Sequence, residues 1–159
     1  MLSVRELKTL AASLDDQGLK KQLGPFVLVQ RPWDASAGPG LASTRRLAPP
    51  KQRSALDFED AWVATIPPME EMDSFSIGRA PDCDVIIDHE SVSKRHARID
   101  WLSTYAELED LGSSNGTFLN GQKVRGRSVL TDNDALDFGS VQVFFMLTLT
   151  LRRRMSIVR

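Results

Sequence analysis

Residues 78–121 are the most informative part of this chain, because clusters of turn-forming and hydrogen-bonding residues alternate there with short apolar stretches. The clusters are Gly78-Arg79, Ser93-Lys94-Arg95-His96, Asp110-Leu111-Gly112-Ser113-Ser114-Asn115-Gly116-Thr117 and Asn120-Gly121. The stretches between them have the length of β-strands, so the pattern predicts loops that meet at one end of a β-framework. The guanidinium, hydroxyl, ammonium and amide groups of these loops are donors that suit an oxyanion such as phosphate.

Apolar and polar residues alternate around these clusters, which predicts half-buried strands. The apolar positions are Phe75 and Ile77, then Ala97, Ile99 and Trp101, then Ala106 and Leu108, and finally Val141, Val143, Phe145, Leu147, Leu149 and Leu151. Many short strands with turn signals between them indicate an all-β domain, an antiparallel sandwich or barrel. We expect its last strand to reach Leu151 and residues 152–159 to form a basic tail.

The N-terminal part predicts one short helix before the β-domain. Residues 3–14 show helical spacing, and Ser3 and Glu6 fit a capping box. This extension, residues 1–24, could dock on the domain, pair with another chain or fray. The domain itself is expected over residues 25–151, with a first strand at 26–29; the alternative is a domain that starts near Ala61, with residues 26–29 in the extension. Residues 33–58 are rich in Ala, Ser, Gly, Pro and basic groups, which favours a flexible insertion within it.

Composition narrows the functional classes. The 159 residues carry a net charge of −1, which argues against a nucleic-acid-binding surface. The single Cys83 excludes an internal disulfide and favours a reducing, cytoplasmic setting. No signal peptide or apolar run long enough for a membrane helix is apparent in the sequence. We therefore expect a soluble protein that uses no cofactor and binds neither nucleic acid nor membrane.

Each polar residue of the clusters has an ordinary explanation when it is taken alone. Arg79 at a strand end is usually a solvated charge, and Asn115-Gly116 by itself predicts only a turn. His96 begins an apolar strand and is expected to be structural. Together they offer phosphate a bidentate guanidinium, the hydroxyl of Ser93 and the charge of Lys94. The Asn115 amide can both donate to and accept from a peptide backbone.

These clusters, together with Asp137-Phe138-Gly139, resemble the signature of the forkhead-associated (FHA) domain over roughly residues 74–147. The resemblance implies an eleven-stranded β-sandwich that binds phosphothreonine peptides through loops at one end, without catalysis. The partner would be a Ser/Thr kinase or its substrate, so the protein would recruit a phosphorylated partner in signal transduction.

The resemblance also implies roles for particular residues. Those that match positions near the phosphate or the ligand main chain are Arg79, Ser93, Lys94, Ser114 and Asn115. Four others match positions that hold the loops in shape, namely Gly78, His96, Gly112 and Gly116. Glu90 and Ser91 lie in the loop that reads the residues following the phosphothreonine, where Glu90 would disfavour an acidic ligand residue if it faces the site rather than solvent.

Three alternatives accompany this interpretation. A phosphate-independent scaffold or oligomerisation module could use the N-terminal helix or a sheet face. An enzyme could use Ser93 and His96 as nucleophile and base, but no orienting acid is recognisable. A metal could bind the acidic, cysteine and histidine side chains near the second cluster, but their spacing matches no standard site: Asp82, Cys83, Asp84, Asp88, His89 and Glu90.

Overall fold

Two facing β-sheets form the centre of the computed structural model, which describes residues 2–30, 61–64 and 73–157. The twelve strands of these residues are β1 Leu2–Ser3, β2 Phe26–Gln30, β3 Trp62–Ala64, β4 Asp73–Gly78, β5 Val85–Ile86, β6 Ala97–Trp101, β7 Ala106–Asp110, β8 Thr117–Leu119, β9 Gln122–Lys123, β10 Arg127–Leu130, β11 Ala135–Phe138 and β12 Val141–Leu147. One sheet has the order β1-β3-β2-β12-β11-β8-β9 and the other β10-β7-β6-β4-β5. The predicted β-sandwich is confirmed, and the two-residue strand β1 was not expected.

The inner faces of the sheets carry the predicted alternation. Ile99 in β6 and Leu108 in β7 oppose each other in the register and are fully buried. Three of the four buried phenylalanines of this core come from the seven-stranded sheet, where Phe26 of β2 packs 4.7 Å from Phe145 of β12 between ring centroids. All pairings of the five-stranded sheet are antiparallel except that of β4 with β5. The core therefore lies between the sheets, and the loops are left at their ends.

Strand β2 is buried on both faces, which explains why its sequence does not alternate. It lies between β3 and β12 in the seven-stranded sheet. Phe26 and Leu28 face the second sheet, while Val27 and Val29 face an outer apolar cluster. Residues 26–30 are therefore an integral strand of the sandwich. The insertion predicted at residues 33–58 lies outside the described residues.

The N-terminal extension forms two helices, α1 Val4–Ala12 and α2 Asp16–Leu23. The predicted capping box is present: the Ser3 hydroxyl accepts from the Glu6 N–H at 3.2 Å, and the Ser3 N–H donates to the Glu6 carboxylate at 2.8 Å. The Ser3 hydroxyl also donates to the Glu6 carboxylate at 2.8 Å, and the bonds that this carboxylate accepts, first from the Ser3 backbone N–H and then from the Ser3 hydroxyl, lower the pKa of Glu6. Both helices dock on the outer face of the seven-stranded sheet, where Leu7 and Leu19 are fully buried.

The C-terminal prediction was wrong, because β12 ends at Leu147 and a third helix, α3, spans Thr148–Ile157. The Asp132 carboxylate accepts from the Leu147 N–H at 2.8 Å and from the Thr150 hydroxyl at 2.5 Å, at the point where the strand gives way to the helix. Thr148, Leu151 and Met155 are buried at spacings of three and four residues, a helical period. Residues 148–157, which were expected to form the end of the strand and most of the tail, therefore form one helix.

Helices α1, α2 and α3 together form what we call the helical layer. Its apolar side chains pack against the outward-facing residues of β2, β3 and β12, including Val63 and Met146. This layer covers one part of the outer face of the seven-stranded sheet and leaves the loops at the far side of β8 uncovered. None of the described helices has the length and apolar character needed to cross a membrane.

Candidate functional site

Three connecting segments meet at one end of the sandwich, which we call the loop end: residues 78–84, 87–96 and 111–116. The register of the five-stranded sheet brings them together, since Ala97 pairs with Ile77 of β4 on one side and with Asp110 of β7 on the other. The Arg79 N–H then donates to the Ser93 carbonyl at 2.9 Å. The clusters that are separate in the sequence are therefore adjacent in the fold.

Gly78 permits the closest approach within the loop end. A β carbon at this position would stand 2.2 Å from the carbonyl oxygen of Lys94 and 3.0 Å from the sulfur of Cys83. Real β carbons do not approach backbone atoms this closely, so only glycine fits. The same Lys94 carbonyl accepts from the Ala80 N–H at 3.1 Å and from the Cys83 thiol at 3.2 Å. Gly78 thus fixes the position of the Ser93-Lys94 segment against the end of β4.

His96 is fully buried and joins the two sheets at the loop end. Its Nδ1 lies 3.0 Å from the Ser93 backbone nitrogen, and its Nε2 lies 2.9 Å from the Gly116 carbonyl oxygen. Because an N–H can only donate, Nδ1 is the acceptor and Nε2 carries the proton. Both ring nitrogens are therefore engaged in holding the loops, which leaves neither to act as a catalytic base or a metal ligand. His96, which the sequence predicts as a loop-supporting residue, thus lies between Ser93 and Gly116 at the loop end.

Arg79 and Ser93 present polar atoms to solvent beside each other. The Arg79 Nε donates to the Val92 carbonyl at 3.2 Å, which orients the guanidinium. Its terminal nitrogens have no hydrogen-bond partner among the described residues. The Ser93 hydroxyl oxygen accepts from the Ser114 N–H at 3.0 Å, and no described residue takes the hydroxyl proton. The unused groups of both side chains are thus donors.

Lys94, Ser114 and Asn115 complete the exposed part of the loop end. The Lys94 ammonium forms no ion pair with another described residue. The Asn115 side chain donates to the Ser91 carbonyl at 2.8 Å, so it bridges the second and third segments. Its Oδ1 and second amide hydrogen have no partner within the described ranges. All five residues predicted to contact a phosphopeptide therefore lie at the loop end with free polar atoms.

Asp110 organises the third segment, a role that the sequence reasoning missed. Its carboxylate accepts from the Ser113 hydroxyl at 2.5 Å, from the Thr117 hydroxyl at 2.6 Å and from the N–H groups of Gly112 and Ser113. Burial raises the pKa of Asp110, but these hydrogen bonds outweigh burial and the pKa is lowered. An Asp followed by Gly and Ser two and three residues later is a turn signal that could have revealed it.

The glycines of the third segment adopt the backbone conformation that the turn demands. Gly112 has φ +75° and Gly116 has φ +84°. Gly112 lies in open space, whereas a β carbon on Gly116 would stand 3.3 Å from the Phe118 ring. The supporting positions predicted for both residues therefore lie in the turn that presents Ser114 and Asn115.

The two candidate specificity residues, Glu90 and Ser91, differ in how far other side chains and backbone groups engage them. Glu90 is exposed, and its carboxylate has no ion pair with another described residue. The Ser91 hydroxyl contacts His89 Nδ1 and the Ser140 hydroxyl, each at 2.8 Å. Ser91 also packs against Gly139, where a β carbon would stand 2.3 Å from its carbonyl oxygen. Ser91 therefore ties the second segment to the turn between β11 and β12, and Glu90 is the freer of the two.

The acidic residues near the second cluster do not converge on a metal site. Asp82 pairs with Arg95 at 2.7 Å, and Asp84 accepts from the backbone and hydroxyl of Ser76. Cys83 is buried. No group of three or more His, Cys, Asp or Glu side chains suited to a metal ion occurs among the described residues.

Comparison with known proteins agrees with this geometry. The sequence profile of the FHA domain matches residues 75–139. These residues are an FHA domain. The chain is 33% identical over 76 residues to an oxoglutarate dehydrogenase inhibitor of Corynebacterium jeikeium, covering 48% of this chain and 52% of that protein. It is 35% identical over 71 residues to the glycogen accumulation regulator GarA of Mycobacterium tuberculosis, covering 45% of this chain and 43% of GarA.

The aligned region thus spans about half the length of these two relatives. Among solved structures, the FHA domain of the CT664 protein from Chlamydia trachomatis superposes with a TM-score of 0.52 at 19% identity, over 76% of this chain and 96% of that one. At this identity the superposition supports the fold, which is the FHA β-sandwich. The names of the two relatives are those of an inhibitor and a regulator.

Proposed function

We propose that this protein is a phosphothreonine-dependent binding module that recruits a phosphorylated partner, a Ser/Thr kinase or its substrate, after the kinase has acted. It would work in the cytoplasm, in keeping with its single cysteine, Cys83, being a free thiol. The module binds its ligand without converting it chemically. Two relatives are named as an enzyme inhibitor and a metabolic regulator, which is consistent with control of another protein through binding.

The observation that carries this proposal is the set of free donors at the loop end. A phosphothreonine carries a charge of about −1.5 to −2 and three strong acceptor oxygens. The Arg79 guanidinium, the Ser93 hydroxyl proton and the Lys94 ammonium can satisfy those acceptors together. Ser114 adds a second exposed hydroxyl beside Ser93. The Val92 carbonyl holds the Arg79 guanidinium and the Ser114 N–H holds the Ser93 hydroxyl oxygen, so these two side chains are oriented before the ligand arrives.

Asn115 supports a peptide ligand rather than a small anion. One amide hydrogen holds the Ser91 carbonyl, and the remaining hydrogen and the carbonyl oxygen are free to pair with a backbone C=O and N–H. We assign Gly78, His96, Gly112 and Gly116 to holding the loops in shape. These assignments explain why donors and turn formers occur together in the sequence.

The alternative of a scaffold built on the N-terminal helix has weaker support. The apolar faces of α1 and α2 are already buried against the seven-stranded sheet, with Val4, Leu7, Leu19 and Leu23 almost fully buried. A helix whose apolar face is covered offers little area to a second protein. We therefore place ligand binding at the loop end.

The direct test is titration of the purified chain with a degenerate phosphothreonine peptide pool. We expect binding to the phosphorylated pool and none to the same pool without phosphate. The phosphoserine pool should bind about 10-fold or more weakly, since the family discriminates through a pocket for the threonine methyl. Equal affinity for phosphorylated and unphosphorylated pools, or binding to neither, would refute the proposal.

A further inference from the structure

Two basic residues, Lys123 and Arg125, lie at and just beyond strand β9, which pairs with the strand that follows the Asn115-Gly116 turn, and neither belongs to the clusters described above. Lys123 of β9 pairs with Phe118 of β8, and the Val124 N–H donates to the Thr117 carbonyl at 2.8 Å. Arg125 follows Val124 in the chain, two residues beyond the end of β9.

The side chain of Lys123 reaches toward the same turn. Its Cε would stand 3.6 Å from a β carbon on Gly116. Lys123 and Arg125 lie on either side of the buried Val124 in the chain, and both are exposed. Lys123 therefore flanks the turn that carries Asn115, on the β9 side of strand β8, and Arg125 follows two residues later.

Neither cation is neutralised within the described residues. Lys123 and Arg125 are exposed and form no ion pair there. Two arginines elsewhere on the sandwich are paired by contrast: Arg95 lies 2.7 Å from Asp82, and Arg98 lies 2.6 Å from Glu109. The positive charge beside Asn115 is thus available to an external group.

The opposite side of the turn carries the opposite charge. Strand β8 lies between β9 and β11, and Ser91 packs against Gly139 at the end of β11. The segment that contains Ser91 also carries Asp88 and Glu90, which are exposed and form no ion pair with another described residue. The turn therefore has acidic side chains on its β11 side and basic side chains on its β9 side.

We propose that Lys123 and Arg125 form a subsite for an acidic side chain of the ligand, while Asp88 and Glu90 disfavour acidic residues on the other side of Asn115. This inference rests on the proposed function. An extended peptide held through its phosphate and its backbone passes between the two sides, so each side meets different ligand residues. The two charged sides fix the direction in which the peptide lies as well as its sequence preference.

The experiment uses an alanine-rich phosphothreonine peptide in which one neighbouring position at a time is changed to Asp or to Lys. Each peptide is titrated against the wild-type chain, Lys123→Gln/Arg125→Gln and Lys123→Glu/Arg125→Glu. The matched control is Lys20→Gln/Lys21→Gln, which removes two exposed cations from α2. Circular dichroism and thermal unfolding verify that every variant is folded.

We expect at least one position at which Asp improves wild-type binding over Lys by about 3-fold to 10-fold, as two exposed ion pairs allow. The Gln variant should lose that preference while still binding the parent peptide, and the Glu variant should prefer Lys at the same position. The control should behave like wild type. Raising the salt concentration should reduce the preference, because exposed charge pairs are screened.

Two results would overturn the inference. Wild type could bind the phosphopeptides with no Asp preference at any position, or the preference could survive in Lys123→Glu/Arg125→Glu. In both cases phosphothreonine binding itself stands. If no phosphothreonine peptide binds the wild-type chain, the proposed function fails and this inference fails with it.

Discussion

The loop end and the helical layer lie on the same sandwich, but different interactions hold them in place. At the loop end, hydrogen bonds to a few atoms position exposed side chains: His96 joins Ser93 to Gly116, and Asp110 closes the turn before Asn115. In the helical layer, apolar burial dominates, and Leu7, Leu19 and Leu151 are completely inaccessible to solvent. One region presents polar groups outward, and the other covers a sheet face.

This difference implies that stability and binding can be changed separately. The helical layer contributes buried apolar area but is not part of the loop end, so its loss should weaken the fold and leave ligand affinity intact. The exposed donors of the loop end contribute little to stability, so their loss should do the reverse. The residues that support the loops should affect both properties.

The largest loss of stability is expected from Leu19→Ala, which leaves a cavity beneath α2. We expect the free energy of unfolding to fall by about 2–5 kcal/mol. The phosphopeptide Kd measured well below the unfolding temperature should not change. Denaturant unfolding and titration of the same sample measure both quantities. Leu147→Ala is the matched control, since Leu147 is 37% exposed, and it should cost less than about 1 kcal/mol. A large change in Kd for folded Leu19→Ala would show that the two regions are coupled.

Gly78→Ala should affect both properties. Its new methyl would overlap the Lys94 carbonyl, at 2.2 Å, so the Ser93-Lys94 segment must move. We expect a loss of about 1–3 kcal/mol in unfolding free energy and a large loss of phosphopeptide affinity in the protein that remains folded. Unchanged affinity would contradict the assignment of Gly78 to positioning the phosphate-facing donors.

Asp110→Asn should loosen the third segment, because the amide nitrogen cannot accept the bonds that the carboxylate accepts. We expect the unfolding free energy near neutral pH to fall by about 1–2 kcal/mol, which is less than the loss for a fully buried charged group because Asp110 is partly exposed to solvent. We also expect weaker peptide binding.

The pH dependence of Asp110→Asn has a defined sign. The pKa of Asp110 is lower in the folded chain than its ordinary value of 3.8, so the folded state binds the proton less tightly than the unfolded state. The stabilisation that the ionised Asp110 contributes is therefore complete at pH values above its ordinary pKa, and it is lost as the pH falls through the lower pKa of the folded state. The stability difference between wild type and variant should be constant from mildly acidic to neutral pH and should narrow in strong acid. A difference that grows on acidification would contradict the hydrogen bonding described for this carboxylate.

The smallest effect is expected from Asp15→Ala at the start of α2. The Asp15 carboxylate accepts from the Gly18 N–H at 2.7 Å, and alanine removes that cap. We expect a loss of about 1 kcal/mol and no change in Kd. Asp15→Asn keeps an acceptor at the same place and should recover most of the stability. Equal losses for the two variants would mean that capping does not account for the contribution of Asp15.

The sequence alone predicted the β-sandwich and the residues that lie at the loop end, because both depend on local sequence signals. Alternating residues such as Ile99 and Leu108 fix which strand face is buried, and turn residues such as Asn115-Gly116 fix where strands end. His96 was expected to be structural because it begins an apolar strand, and its burial agrees with that expectation. The role of Ser3 and Glu6 was also readable, since a capping box is local.

Features that depend on distant contacts were harder to predict. Leu147, Leu149 and Leu151 continue the period of a strand, and the helix there depends on Asp132 and on burial of Leu151 against the N-terminal helices. The role of Asp110 requires the folded turn. The closeness of Lys123 to the Asn115-Gly116 turn follows from the register of β8 and β9, which the sequence alone does not specify.

The most direct test of the account is the effect of Arg79→Ala on phosphothreonine binding, with Arg153→Ala as the matched control. Both side chains are exposed arginines, but Arg79 lies at the loop end and Arg153 on α3. We expect Arg79→Ala to weaken binding of a phosphothreonine peptide by about 30-fold or more, as loss of charge-assisted hydrogen bonds to phosphate implies, without a change in unfolding temperature. Arg153→Ala should bind like wild type. Wild-type affinity in folded Arg79→Ala would contradict the placement of the phosphate at the loop end.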